Sequence, residues 1–411
     1  MLELRGPVVA ALEVTSQPVA GAAHAYFKSE SRPPLTPAQW GDIIEKLGPY
    51  VSEFRVTGSD PMARADLFEV LGHLERAKRP YHIFTHGVWT DRPGLLTGLK
   101  KLSYVQSFLV SLHGPDAESH GAFSGDASEF DEAVKTIEMV AATGLEVSSS
   151  TVITLQNADR VEALVELVMR RGGRHSVFNR YSGPARPDVE PDAATLTRVL
   201  EKLDDLRSLG YNIALGSCVP ACFFKSFAQG CSAGITYCAI DPWGEMRPCD
   251  HSPTRVGSVL DRKVTDVWRG RAMRAWRNRL PSACEKCSKI TFCPGGCRSL
   301  AEVLGVPRDP LIGEPLPVED PTLLEVTLEE DLCPLPKYDI REEDFGWSLI
   351  RQTHVIPVTK KAGALLYAFD GKTTLADIEK QFGTAALSFV YSLYERNFVD
   401  FRPRDMAETT P

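Results

Sequence analysis

Eight cysteines between residues 231 and 333 are the residues best equipped for chemistry in this chain. They are Cys231, Cys238 and Cys249, then Cys284, Cys287, Cys293 and Cys297 in the spacing Cys-x2-Cys-x5-Cys-x3-Cys, and finally Cys333. Eight thiols make two sets of four, and four thiolates suit either a tetrahedral zinc ion or an iron–sulfur cluster, both of which take soft, charge-donating sulfur. Gly244, five residues before Cys249 in Asp241-Pro242-Trp243-Gly244-Glu245-Met246-Arg247-Pro248-Cys249, marks a tight turn that returns a strand toward the metal. Cys218 and Cys222 form a further Cys-x3-Cys pair upstream. They read as small buried hydrophobes at a domain junction, with replacement of missing cluster ligands as the alternative.

Regular elements must position these thiols, and the first half of the chain supplies an α/β alternation. Strand-like runs fall at residues 8–15, 54–57, 81–84, 105–111, 147–154 and 176–178. Helical periodicity fills the intervals at about 36–47, 63–77, 92–99, 130–143, 159–171 and 193–209. Six strand–helix repeats predict a parallel sheet with helical crossovers, curved into a partial barrel, with ligands at the carboxyl ends of the strands.

At 411 residues the chain is too long for one ordinary core. A hydrophobic content of 43% and a charged content of 24% describe a globular protein. The net charge of −8 argues against a nucleic-acid partner, and the basic stretch 269–279, with Trp268, Met273 and Trp276 interleaved, reads as an amphipathic helix. No apolar run of membrane-spanning length and no signal-like N-terminus is present, so the expectation is a cytoplasmic protein with no membrane association, where clustered cysteines hold metal and not disulfides.

The cysteine pattern resembles the SPASM domain of radical SAM peptide-modifying enzymes. The resemblance implies two auxiliary 4Fe-4S clusters, one on Cys231, Cys238, Cys249 and Cys297, the other on Cys284, Cys287, Cys293 and Cys333. A pair of structural zinc sites is the alternative reading of the spacing. Residues from about Val8 to Asp188 resemble the radical SAM core, whose first strand leads into Cys-x3-Cys-x2-Cys. Here that loop runs from Thr15 to Tyr26, and the three ligand positions are Pro18, Ala22 and Ala25, none of which binds iron. Without that cluster no electron reaches the sulfonium. After the second strand the family has Gly-Gly-Glu-Pro, and this chain has Gly58-Ser59-Asp60-Pro61. Aspartate keeps the charge but is one methylene shorter, which leaves S-adenosylmethionine binding open. Ser111 and Arg180, at the ends of strands four and six, sit where family members line the cofactor pocket; each reads equally as an ordinary strand-end polar residue. His113 and His120 read as solvated residues of a polar loop at the same face.

Residues 307–336 are rich in proline and acidic side chains and read as an extended connector carrying Cys333. Beyond it, two strands at 345–351 and 354–358 precede helices near 361–369, 374–382 and 385–397, with Gly371 ending one helix and Thr374 capping the next. Phe345-Gly346, Pro357-Val358, Ala364-Leu365-Leu366, Phe369-Asp370-Gly371, Thr374 to Ile378 and Leu393 to Val399 resemble the small winged-helix peptide chaperone of the pyrroloquinoline quinone pathway, the RiPP recognition element. That resemblance implies a leader peptide added as a strand to the edge of the β-wing, against Phe345, Val355, Val358 and Leu365. The expected organisation is a partial (β/α)6 radical-SAM-like barrel at 1–205, a SPASM cluster-binding extension at 206–335 and a C-terminal winged helix at 336–404.

Two function classes follow. In one, the chain is a non-catalytic member of a peptide-maturation system, binding a ribosomal precursor peptide and serving an active radical SAM maturase. In the other, it is itself a peptide-modifying enzyme that uses its auxiliary clusters, or a first cluster rebuilt on unconventional ligands.

Overall fold

The structure is a computed structural model that describes residues 3–16, 32–226, 230–317 and 329–403. Its chain separates into a large unit, Gly6–Val318, and a small one made of Met1–Arg5 and Glu319–Pro411.

Seven parallel strands form the body of the large unit: β1 Val9–Thr15, β2 Glu53–Gly58, β3 Tyr81–Thr85, β4 Val105–Ser111, β5 Glu146–Ile153, β6 His175–Arg180 and β7 Ile213–Leu215. β1 is almost wholly buried, because it lies inside the sheet and carries Val-Ala-Ala-Leu where a half-exposed strand would alternate. Helices at Pro37–Leu47, Leu67–Ala77, Arg92–Leu99, Glu129–Ala141, Val161–Arg170 and Ala193–Ser208 make the crossovers. Each buries the apolar stripe that its periodicity predicts. In Pro37–Leu47 the buried side chains are Trp40, Ile43, Ile44 and Leu47, each contributing roughly 2 kcal/mol of burial. Thr36 caps that helix reciprocally with Gln39, and Pro37 occupies the first turn, where its missing N–H costs nothing.

The sheet does not stop at β1. On its other side β8, Tyr237–Ile240, pairs in parallel with β1; β9, Glu245–Arg247, returns antiparallel to β8, and β10, Gly257–Ser258, follows antiparallel to β9. The strand order is β10-β9-β8-β1-β2-β3-β4-β5-β6-β7, an open ten-stranded sheet shared by barrel and extension. The β8–β9 turn depends on Gly244, whose φ of +86° suits glycine and whose N–H bonds Asp241 O at 3.0 Å. Across the junction, Arg247 on β9 grips both carboxylate oxygens of Glu13 on β1, with both side chains buried. The basic stretch forms two short helices, Val264–Trp268 and Arg271–Arg277, which bury Trp268, Met273 and Trp276.

The small unit holds a strand pair, β11 Leu332–Pro336 with β15 Val399–Pro403, and a three-stranded antiparallel sheet of β12 Asp339–Glu343, β13 Gly346–Arg351 and β14 His354–Thr359. Its helices Gly363–Tyr367, Leu375–Phe382 and Thr384–Glu395 pack Leu365, Leu366, Ile378, Val390 and Leu393 against Leu349 and Val358. Part of the stretch read as a connector is therefore strand: residues 332–336 pair with β15, because backbone pairing leaves room for Pro334 and Pro336 on an edge strand. No helix among the described residues is long and apolar enough to cross a membrane.

Candidate metal centre

The carboxyl ends of β1 to β6 define one face of the large unit. β1 and β2 approach closely there: Thr15 pairs with Gly58, whose φ is +124°, and a Cβ at Gly58 would stand 2.6 Å from Thr15 Oγ1. Asp60 follows, 7% exposed. Its carboxylate accepts hydrogen bonds from Met62 N (2.9 Å), from Thr85 Oγ1 (2.9 and 3.0 Å) and from His86 N (3.0 Å). Burial raises its pKa, opposed by the charge of His86 and by these donors. Ser59 and Ser111 are half-buried. Pro18, Ala22 and Ala25 lie outside the described residues, and all ten cysteines of the chain lie at or after Cys218.

The histidines after β4 are not solvated. His113 and His120 are 4% and 2% exposed, and their rings lie 5.6 Å apart. The reading as a polar loop fails because the segment folds down: His120 Nδ1 accepts from His113 N, His113 Nδ1 accepts from Val152 N, and Asn157 Nδ2 donates to His113 O. Both histidines hold loops together.

Arg180 is likewise engaged. It ends β6 with its side chain buried and donates to Asp309 Oδ1 at 2.8 Å. Asp309 in turn accepts Cys297 N (2.6 Å) and Leu311 N (3.0 Å), so the pair ties the barrel rim to the cysteine region. Asp309 carried no recognisable signal in its proline-rich sequence.

The thiols fall into two neighbourhoods that Cys218 and Cys293 link. Cys231 and Cys297 act electrostatically on Cys249 and, together with Cys293, on Cys218, and Cys249 Sγ lies 2.9 Å from Ser299 Oγ. Arg298 Nη2 donates to Cys231 Sγ at 3.8 Å. Cys297 caps the helix Arg298–Leu304, its sulfur accepting Leu300 N. In the second neighbourhood, Cys284 feels Cys222, Cys293 and Cys287. The backbone N–H groups of Ala221, Gly295 and Gly296 point at the sulfur of Cys293. Gly295 and Gly296, at φ +83° and +70°, make the turn from Cys293 to Cys297, and a Cβ at Gly296 would collide with Asp309. Burial is the first cause that pushes these thiols up, Cys297 to about 12, and neighbouring sulfur charge adds to it. Metal uptake must therefore displace protons.

Two predicted members stand differently. Cys238 is buried on β8, in register with Ala10 of β1, and the charge acting on it is that of Arg277. Cys333 belongs to the small unit, on β11 opposite Arg402. Cys218, read from sequence as a small buried hydrophobe, is buried, Cys222 is half-buried, and both stand near other thiols.

Among the described residues Arg180 Nη1 is buried with no hydrogen-bond partner, and after burial and Asp309 the charges of Cys297 and Cys218 act on this guanidinium. Such a cation suits a net-negative group held by thiolates. Among the described residues no three His, Cys, Asp or Glu side chains converge closely enough to hold a single ion. The donor set fits clusters.

In the small unit Phe345 and Val355 are half-buried, while Val358 and Leu365 are spent on the unit's own core.

Family models match residues 22–168 as the radical SAM superfamily and residues 231–289 as SPASM, an iron–sulfur cluster-binding domain. The chain is 28% identical over 327 residues to the mycofactocin maturase MftC of Mycobacterium tuberculosis, covering 74% of this chain and 82% of that protein. It is 26% identical over 322 residues to the PqqA peptide cyclase of Xanthomonas campestris pv. campestris, with the same coverage, 74% and 82%. The fold is similar to that of Streptococcus suis SuiB bound to S-adenosylmethionine, with a TM-score of 0.64 at 18% identity over 75% of this chain and 78% of that one. The two matched segments contain strands β2 to β5 and Cys231, Cys238, Cys249, Cys284 and Cys287, and the chain is a member of the radical SAM superfamily that carries a SPASM iron–sulfur cluster-binding domain.

Proposed function

We propose that the chain is a peptide-maturation protein that carries two auxiliary four-iron clusters and does not cleave S-adenosylmethionine. One observation carries this reading: the cluster-binding region has a full complement of thiols, while no cysteine precedes Cys218 and the loop after β1 offers Pro18, Ala22 and Ala25 at the ligand positions. Asp60 supports it, since a carboxylate already bonded by Met62, Thr85 and His86 has little capacity left for a ligand amino group. Clusters in the extension would supply one-electron redox chemistry or a structural brace; the residues of this chain would orient the peptide and shield the clusters from water.

A peptide substrate is supported by the company the chain keeps: a maturase, a peptide cyclase, and a related fold solved with the precursor peptide SuiA bound to SuiB. In this reading the small unit is a winged helix that takes a leader peptide along the open edge of its three-stranded sheet, with Phe345 and Val355 available at the surface. An active radical SAM maturase is then the partner that supplies the radical step.

The test is anaerobic reconstitution of the full chain, followed by iron and sulfide analysis and an assay for 5′-deoxyadenosine with S-adenosylmethionine and reductant. About eight irons per chain and no deoxyadenosine are expected. About twelve irons with deoxyadenosine would overturn the proposal in favour of an active enzyme with a rebuilt first cluster. Zinc in place of iron would overturn both readings.

A further inference from the structure

We propose that Arg298 raises the reduction potential of the cluster that takes Cys231 and Cys297, by donating a charged hydrogen bond to the sulfur of Cys231. The inference rests on the cluster reading above and adds to it a residue that sets how readily that cluster accepts an electron.

Arg298 follows Cys297 directly and is 4% exposed. Its Nη2 donates to Ala233 O at 2.8 Å and to Cys231 Sγ at 3.8 Å, and its Nη1 donates to Arg277 O at 3.3 Å. Trp276 covers the fork. The guanidinium carbon stands 5.6 Å from the centroid of that indole, whose own N–H donates to Ala233 O at 3.4 Å. Trp276 is itself fully buried, so water is kept from that side of the cation.

The two carbonyls and the indole are neutral, which leaves the sulfur as the one partner able to carry a charge. Among the described residues no carboxylate pairs with Arg298: Glu302, one turn further along the helix, is taken by Ser252, Thr254 and Arg279. A buried guanidinium without a counter-ion is costly. A thiolate at Cys231, with the rest of a four-thiolate cluster behind it, supplies the missing charge. The cation then acts on the cluster in return. Reduction adds one electron from a low-potential donor to a body that is already negative, with no bond made or broken, so a positive charge held at the sulfur favours the reduced state. Burial beneath Trp276 leaves that interaction poorly screened by salt.

The experiment compares the anaerobically reconstituted full chain with Arg298→Met and Arg298→Lys. Each is read by iron and sulfide content and by a dithionite titration followed by EPR. Methionine fills much of the same volume without the charge, and about eight irons are expected in all three proteins. In Arg298→Met one of the two cluster transitions should move to lower potential. The ratio of reduced to oxidised cluster at its wild-type midpoint should drop roughly tenfold, which is about 59 mV for a one-electron couple. The other transition should stay in place, and Arg298→Lys, which keeps the charge but not the fork, should lie between. Eight irons with neither transition moved, or with both moved alike, sinks this inference alone; wild-type protein that takes up no iron sinks the cluster reading with it. Where a variant loses its iron, the wild-type chain decides: made with isotopically labelled arginine and reduced, it should show by pulsed EPR a labelled nitrogen coupled to a cluster. Absence of that coupling, or its survival in an iron-loaded Arg298→Lys chain, overturns the assignment.

Discussion

His120 shows how burial fixes a protonation state at the scale of one residue. Its Nδ1 accepts a backbone hydrogen bond from His113, so protonating that nitrogen would break the bond and strand a charge. Burial, followed by the charge of His86 and against the pull of Asp126, pushes its pKa down from 6.5 to about 4. The folded state then binds a proton less readily than the unfolded one. The contribution is present in full above pH 6.5 and is lost as pH falls from 6.5 toward 4, amounting to roughly 3 kcal/mol. Denaturant unfolding at pH 7.5, 6, 5 and 4.5 should show that slope. His120→Asn, which places an amide oxygen near the Nδ1 position and does not titrate, should flatten it. An equal slope in both proteins would mean that other groups govern acid stability.

At the scale of elements, the buried Arg180–Asp309 pair joins the end of β6 to the turn carrying Cys297. Asp309→Ala removes the acceptor of three donors, Arg180 Nη2, Cys297 N and Leu311 N, and leaves the guanidinium uncompensated. The expected loss is about 3–5 kcal/mol of unfolding free energy, with part recovered in Arg180→Met combined with Asp309→Leu. A loss no greater than that of an exposed pair would show that the tie is not needed. This same tie marks the limit of what the sequence discloses. Strands such as β1 and helices such as Pro37–Leu47 are legible because their patterns are local: a continuous apolar run, or apolar residues at i, i+3, i+4 and i+7. The grip of Asp309 on Arg180 spans 129 positions and has no local pattern. The pairing of β11 with β15 was hidden by prolines that suit an edge strand as well as a connector.

At the scale of the whole molecule, the barrel and the extension share one sheet yet differ in where the cysteines lie. The sheet, the close approach of Gly58 to Thr15 and the acidic residue after β2 all remain, while the sulfur is gathered in the extension. If the first cluster is missing for want of ligands alone, restoring ligands should restore it. Pro18→Cys, Ala22→Cys and Ala25→Cys made together should raise iron from about eight to about twelve per chain after reconstitution. Deoxyadenosine should still be absent, because Asp60 stays bonded to Thr85, Met62 and His86 and is one methylene short of the glutamate its relatives use. Adding Ser59→Gly and Asp60→Glu is then the step that should bring cleavage back. Iron that stays at about eight in the triple-cysteine chain would show that three cysteines alone do not build a cluster in that loop.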